Sequence, residues 1–138
     1  MSISGTKNGK GSMFKAALVF LAVAAFCYVF NYIYAQHSHD VHSAYMTYMY
    51  AYPLLGGTLV YALIGILPGA RAPGRLAANA WHSGIAALTV GSMLRGIFDI
   101  AGTESGFQPV FMLAGILMVC AGAACYVAGQ FDISNRTL

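Results

Sequence analysis

The sequence predicts an all-α protein, a membrane-embedded antiparallel four-helix bundle with both chain ends on the cytoplasmic side. Of the 138 residues, 59% are hydrophobic and 8% are charged, whereas soluble domains carry about 25% charged residues. Four apolar stretches each reach the roughly 20 residues that a helix needs to cross a bilayer. The basic residues fall almost entirely on one side of these four spans, which orients the bundle.

The predicted helices cover residues 13–35, 44–67, 77–100 and 108–129. They make up a single domain, 13–130, because a chain of this length has no room for a separate soluble catalytic domain. The preceding residues 1–12 are rich in Gly, Ser and Lys and are expected to form a flexible cytoplasmic tail, with residues 131–138 as a second one. A cleaved signal peptide is the competing interpretation of the first helix, but its apolar run is longer than such peptides have.

Pro53 predicts a kink in the second helix. It lies about ten residues into that helix, where it lacks a backbone N–H and clashes with the carbonyl of Met49. The helix is expected to stop at Pro68-Gly69. Pro109 suits the first turn of the fourth helix, where its missing N–H is not needed.

The distribution of positive charge orients the spans. Six of the seven basic residues lie on one side of the four-span drawing: Lys7, Lys10, Lys15, Arg71, Arg75 and Arg136. By the positive-inside rule this side is cytoplasmic, which predicts a multi-pass plasma-membrane protein whose loops near 36–43 and 101–107 face outward. A net charge of +3 is too small to indicate nucleic-acid binding.

Small residues form stripes on the last two helices. Ala-Gly pairs recur every seven residues at 114–115, 121–122 and 128–129, and the third helix carries Ala80, Gly84, Ala87 and Gly91. Such stripes let helix backbones approach closely in lipid. The pattern fits packing within one chain and equally a homo-oligomer seam.

Arg95 and Asp99 lie inside the third apolar stretch, four residues apart and therefore on one helical face. Charges at this depth normally face protein, water or each other. One interpretation is that Arg95 only neutralises Asp99 near the outer surface. The other is an outward-facing polar cleft beside the kinked helix, in which Arg95 receives an anionic or carboxylate ligand. Thr89, Ser92 and Asp99 fall within one broad face of this helix, which is predicted to be polar. The candidate ligand-binding residues of this cleft are Arg95, Asp99, Ser92, Thr89, Tyr48 and Tyr52.

The first outer loop has the order H-x-H-D-x-H. Its candidate metal ligands are His37, His39, Asp40 and His42, and such a set can bind a divalent transition metal or be merely solvated. Asp40 or Ser43 is also expected to cap the second helix. With neutral histidines, three outer carboxylates and Arg95 sum to −2, and protonation of the three loop histidines changes this to +1. A pH-responsive element is therefore a further hypothesis.

Residues 28–104, with the segments YVFNYIYA, YMTYMYAYPLLGG and HSGIAALTVGSMLRGIFDIAGT, resemble a group of small uncharacterised bacterial four-span membrane proteins. The resemblance implies the four-span architecture and brings no activity with it. Three functions remain: a small-solute or ion transport component or ligand-binding membrane module, a scaffold or accessory subunit, and a pH- or metal-responsive sensor. Enzymatic activity is the least favoured, since no nucleophile and base stand at a compatible spacing.

Overall fold

The computed structural model describes residues 2–39, 41–67, 73–104 and 106–136, and all regular structure within them is helical. The elements in chain order are α1 (Ser2–His37), α2 (Ala44–Thr47), a π-helical segment (Tyr52–Leu59), α3 (Val60–Ile66), α4 (Arg75–Ala101) and α5 (Gln108–Arg136). The stretch Ala44–Ile66, which contains α2, the π segment and α3, is called the broken helix below. Four helices are long and apolar enough to cross a membrane: Gly11–His37, Ala44–Ile66, Arg75–Ala101 and Gln108–Asp132. The predicted all-α, four-helix architecture is therefore confirmed.

The helices extend beyond the predicted bounds at both chain ends. α1 begins at Ser2 rather than at residue 13, and α5 continues to Arg136 rather than ending at 129. The prediction followed the apolar runs, whereas an established helix gains one hydrogen bond for each polar residue that it adds. The mobility of these chain ends stays a prediction. Pro68, Gly69 and Arg71 lie outside the described residues.

The broken helix departs from regular α-helix close to the predicted kink. α2 ends at Thr47, residues 48–50 form turns, and the π segment begins at Tyr52 with Pro53 in its first turn. Pro53 has no backbone N–H to donate. Three residues later in the same segment, the carbonyl of Gly56 accepts a hydrogen bond from the indole Nε1 of Trp81 at 2.7 Å. A side chain of α4 thus supports the irregular backbone.

Close backbone packing joins only helices that are consecutive in the described chain: α1 with the broken helix, the broken helix with α4, and α4 with α5. The last pair meets through glycine. A Cβ on Gly84 would lie 2.9 Å from the Gly115 carbonyl oxygen, and a Cβ on Gly115 would lie 3.0 Å from the Gly84 carbonyl oxygen. Gly91 faces Phe111 and Met112 in the same way. These positions of the two small-residue stripes are therefore used within one chain, and the homo-oligomer seam stays a prediction.

Two small clusters of buried side chains lie along the broken helix. One contains Met13, Ala17 and Tyr61, and the other contains Cys27, Met46 and Met49. The second cluster lies next to the end of the molecule where α4 finishes. There Gly102 adopts a left-handed conformation, with φ at 68°, and ends α4. We call this the Arg95 end, and we call the opposite end, where α4 begins, the Arg75 end.

Candidate functional site

Arg95 is the centre of a polar cluster at the Arg95 end. Its Nε lies 3.2 Å from Oδ1 of Asp99, and its Nη1 donates a hydrogen bond to Oε1 of Gln108 at 3.1 Å. Its guanidinium carbon lies 5.0 Å from the centroid of the Tyr45 ring, a distance at which a cation is attracted by the ring face. Arg95 therefore has partners on α4, α5 and the broken helix.

Two buried serines complete the connections between helices. The hydroxyl of Ser43 donates to Oδ2 of Asp99 at 2.8 Å, and that of Ser92 donates to the Tyr45 carbonyl at 2.7 Å. The side chains are almost fully buried, with Ser43 5% and Ser92 1% exposed. Ser43 holds the predicted N-cap position of α2, but its side chain makes no capping bond there. The alternative cap, Asp40, lies outside the described residues.

An open groove of about 230 Å³ adjoins this cluster, and its walls are Ala44, Tyr45, Tyr48, Tyr52 and Ser92. Three of the predicted ligand-binding residues, Ser92, Tyr48 and Tyr52, thus line one groove. Arg95 does not line the groove, but its guanidinium lies over the ring of Tyr45, which forms one wall. Tyr48 is 63% exposed. The groove therefore presents phenol rings to an incoming molecule, with a cation at its edge.

Thr89 is the predicted site residue that stands apart. Its hydroxyl donates to the carbonyl of Ile85, one turn earlier in α4, at 2.8 Å. It lines a different crevice, together with Pro53 and His82. Sequence spacing placed Thr89 on the polar face of α4, but the hydroxyl is engaged with the backbone of its own helix, as Thr side chains in helices often are.

Arg95 keeps donors for a further partner. Its Nε is buried and makes no hydrogen bond with good geometry despite its approach to Asp99. Within the described part of the chain, its Nη2 has no hydrogen-bond partner, and 41% of the side chain is exposed. A guanidinium with an open edge is well suited to a carboxylate or phosphate oxygen, because its planar N–H groups match such anions.

The histidine loop shows no assembled metal site among the residues that are described. His37 contacts the carbonyl of Ile33 through Nδ1 at 2.9 Å, and His39 has a positive φ of 50°. No three described His, Cys, Asp or Glu side chains come together as metal ligands. Because Asp40 lies outside the described residues, metal binding by His37, His39, Asp40 and His42 stays a prediction.

A second polar cluster, near the Arg75 end, was missed by the sequence reasoning. The hydroxyl of Tyr61 hydrogen-bonds Nε2 of His82, and Phe20 contacts both rings, with centroids 5.8 Å and 5.2 Å away. Thr58 donates to the Ala17 carbonyl at 3.1 Å. The available signal was a Tyr and a His in neighbouring apolar stretches, where each needs a partner.

Tyr45, Ser43 and Gln108 were likewise missed at the Arg95 end, because each comes from a different part of the chain than Arg95. The groups assembled there are phenols, hydroxyls, a carboxamide and one ion pair. They can recognise an anion and hold helices together.

Comparison with known proteins found no matching family model, no similar curated protein and no similar solved structure.

Proposed function

We propose that the protein spans the plasma membrane four times and that its helices are antiparallel, with both termini in the cytoplasm. Support comes first from its outer faces, where large apolar side chains are widely exposed. Leu18 is 64%, Phe26 is 66% and Leu117 is 61% exposed. Soluble monomers rarely expose continuous apolar surface of this kind, whereas a lipid bilayer covers it.

The order of contacts supports the antiparallel arrangement. Gly91, late in α4, faces Phe111 near the start of α5, whereas Gly122, further along α5, faces Ala77 at the start of α4. Gly65, at the end of α3, faces Met13 near the start of the first span. Lys15 and Arg75 therefore belong to the same end of the molecule, which agrees with a cytoplasmic Arg75 end.

The proposed activity is that of an outward-facing ligand-binding module or a small-solute transport component, with a small carboxylate-bearing solute as its ligand. The observation that carries it is the open edge of Arg95 on the Tyr45 wall of the groove. The ligand's carboxylate would meet Arg95, and its remaining surface would lie against Tyr48 and Tyr52. Exposed phenol hydroxyls supply additional donors for oxygen atoms.

The test measures binding of short carboxylates, acetate, succinate and benzoate, to the full chain in lipid nanodiscs by calorimetry. Tyr48→Phe removes one exposed donor and is expected to weaken binding about 2- to 10-fold, as loss of one hydrogen bond does. Tyr32→Phe is the matched control, because Tyr32 is similarly exposed, at 60%, but lies on α1 outside the groove. Equal affinities for both variants and the parent would reject the groove. Uptake into proteoliposomes then separates transport from binding.

The second candidate is a scaffold or accessory subunit of a membrane complex. It is favoured by the bonds from Ser43 to Asp99 and from Arg95 to Gln108, which tie three helices together without any ligand. Arg95→Leu distinguishes the two functions. A scaffold predicts lower stability and no carboxylate binding in any variant, whereas a ligand module predicts binding by the parent and its loss in folded Arg95→Leu protein.

A further inference from the structure

A crevice of about 320 Å³ opens at the Arg75 end between α3 and α5, with α4 as its floor. It exists because α5 packs closely against α4 alone among the described helices and leaves α3 uncovered. Gly122 allows α5 to approach the backbone of Trp81 on the floor. Its lining includes Tyr61 and Ile64 from α3, Ala78 and Trp81 from α4, and Ala123 and Tyr126 from α5.

The crevice offers an incoming molecule mainly hydrocarbon surface. The indole N–H of Trp81 is already given to the Gly56 carbonyl, and the Tyr61 hydroxyl is already bonded to His82. The remaining lining is dominated by aliphatic side chains and ring faces. A lining of this kind favours an apolar chain over a polar solute.

A basic residue lies next to the crevice lining in the chain. Pro73 lines the crevice, and Arg75, the first residue of α4, is exposed and lies one helical turn before the lining residue Ala78. Basic side chains beside a gap between membrane helices on the cytoplasmic side attract anionic lipid head groups. The apolar crevice and the neighbouring cation therefore match the acyl chain and the phosphate of an anionic lipid.

We infer that this crevice is a binding site for one anionic phospholipid of the cytoplasmic leaflet, with an acyl chain against Trp81 and the phosphate at Arg75. The inference rests on the proposed membrane embedding, and it concerns the opposite end of the molecule from the carboxylate groove. It assigns the crevice a specific lipid rather than general contact with the bilayer.

Trp81 makes the site measurable, because it is the only tryptophan of the chain. Bromine atoms on an acyl chain quench the fluorescence of a tryptophan that they touch. The full chain is placed in phosphatidylcholine vesicles that contain a low, equal fraction of brominated phosphatidylglycerol or brominated phosphatidylcholine. The phosphatidylglycerol is expected to occupy the site about fivefold more strongly, as one cation near a membrane surface allows, and therefore to quench more.

Two variants locate the preference. Arg75→Gln is expected to abolish it, whereas Lys15→Gln, which removes a basic residue of the same end on α1, outside the crevice lining, should keep it. Ala123→Phe places a ring in the crevice and should reduce the preference with Arg75 intact. Circular dichroism confirms that each variant keeps its helix content.

The outcomes are distinct. Equal quenching by the two brominated lipids in the parent protein, or equal loss of preference in Arg75→Gln and Lys15→Gln, overturns the lipid site and leaves the membrane embedding standing. No quenching by either lipid also overturns the site, because no acyl chain then reaches Trp81; co-flotation of the protein with the vesicles tests the embedding separately. Preferential quenching that disappears only with Arg75→Gln and Ala123→Phe supports the site.

Discussion

Gly84→Ala should separate α4 from α5. The added Cβ would lie 2.6 Å from Cγ2 of Val119, 2.7 Å from the Val119 backbone nitrogen and 2.9 Å from the Gly115 carbonyl oxygen. Two of these three atoms are backbone, so the clash is relieved only by moving a helix. Overpacking of this kind costs about 1–3 kcal/mol, while alanine in place of glycine favours a helix by about 1 kcal/mol. Because backbone atoms cannot move aside, we expect a clash near the upper end of this range, and the free energy of unfolding should fall by about 1–2 kcal/mol in total.

The matched control is Gly129→Ala, the same substitution on α5 at a position where nothing lies within 4 Å of the new Cβ. Gly129→Ala should be slightly more stable than the parent, because alanine favours a helix over glycine and meets no clash at this position. Unfolding by a denaturing detergent, followed by Trp81 fluorescence, reports on this interface because the Trp81 backbone faces Gly122. If Gly84→Ala were as stable as Gly129→Ala, the close α4–α5 approach would be wrong. If it changed only the oligomeric state, the stripe would be a seam between chains.

Two further predictions follow from individual contacts. Ser43→Ala removes a hydrogen bond to the Asp99 carboxylate and should lower the free energy of unfolding by about 1–2 kcal/mol, measured in the same detergent titration. The control is Thr47→Ala, which loses only a local bond to the Ser43 carbonyl and should lower the free energy of unfolding by less. Tyr61→Phe keeps the ring packing but leaves a nitrogen of His82 without its partner, so it should destabilise by about 1–3 kcal/mol, and a neutral result would contradict the Tyr61–His82 bond.

The helix count and approximate spans could be predicted because length and apolarity alone decide whether a helix can cross a bilayer. The position of the irregularity could also be predicted, since Pro53 removes a donor wherever it sits. Its form could not. Within the π segment, the Gly56 carbonyl accepts a hydrogen bond from Trp81, and such a contact between two helices leaves no local pattern in the sequence. The helix ends were misplaced for the opposite reason, because polar residues can continue a helix without leaving an apolar signature.

At the candidate site, the Arg95–Asp99 pair was accessible from sequence because four-residue spacing fixes a helical face. Gln108 and Tyr45 were not, since their approach to Arg95 depends on how α5 and the broken helix pack on α4. Thr89 illustrates the limit of face arguments. It shares the side of α4 predicted to be polar, yet its hydroxyl is bound to Ile85 of its own helix.

The neighbour-to-neighbour packing of the helices has a consequence for synthesis. Each described helix after α1 finds a close-packing partner already made when it leaves the ribosome, because that partner is the helix translated just before it. Assembly can therefore proceed in the order of translation and needs little rearrangement afterwards. Arg95 acquires its last described partner late, since Gln108 lies at the start of α5. Until α5 is made, the contacts of this guanidinium within the described part of the chain are those with Asp99 and the Tyr45 ring.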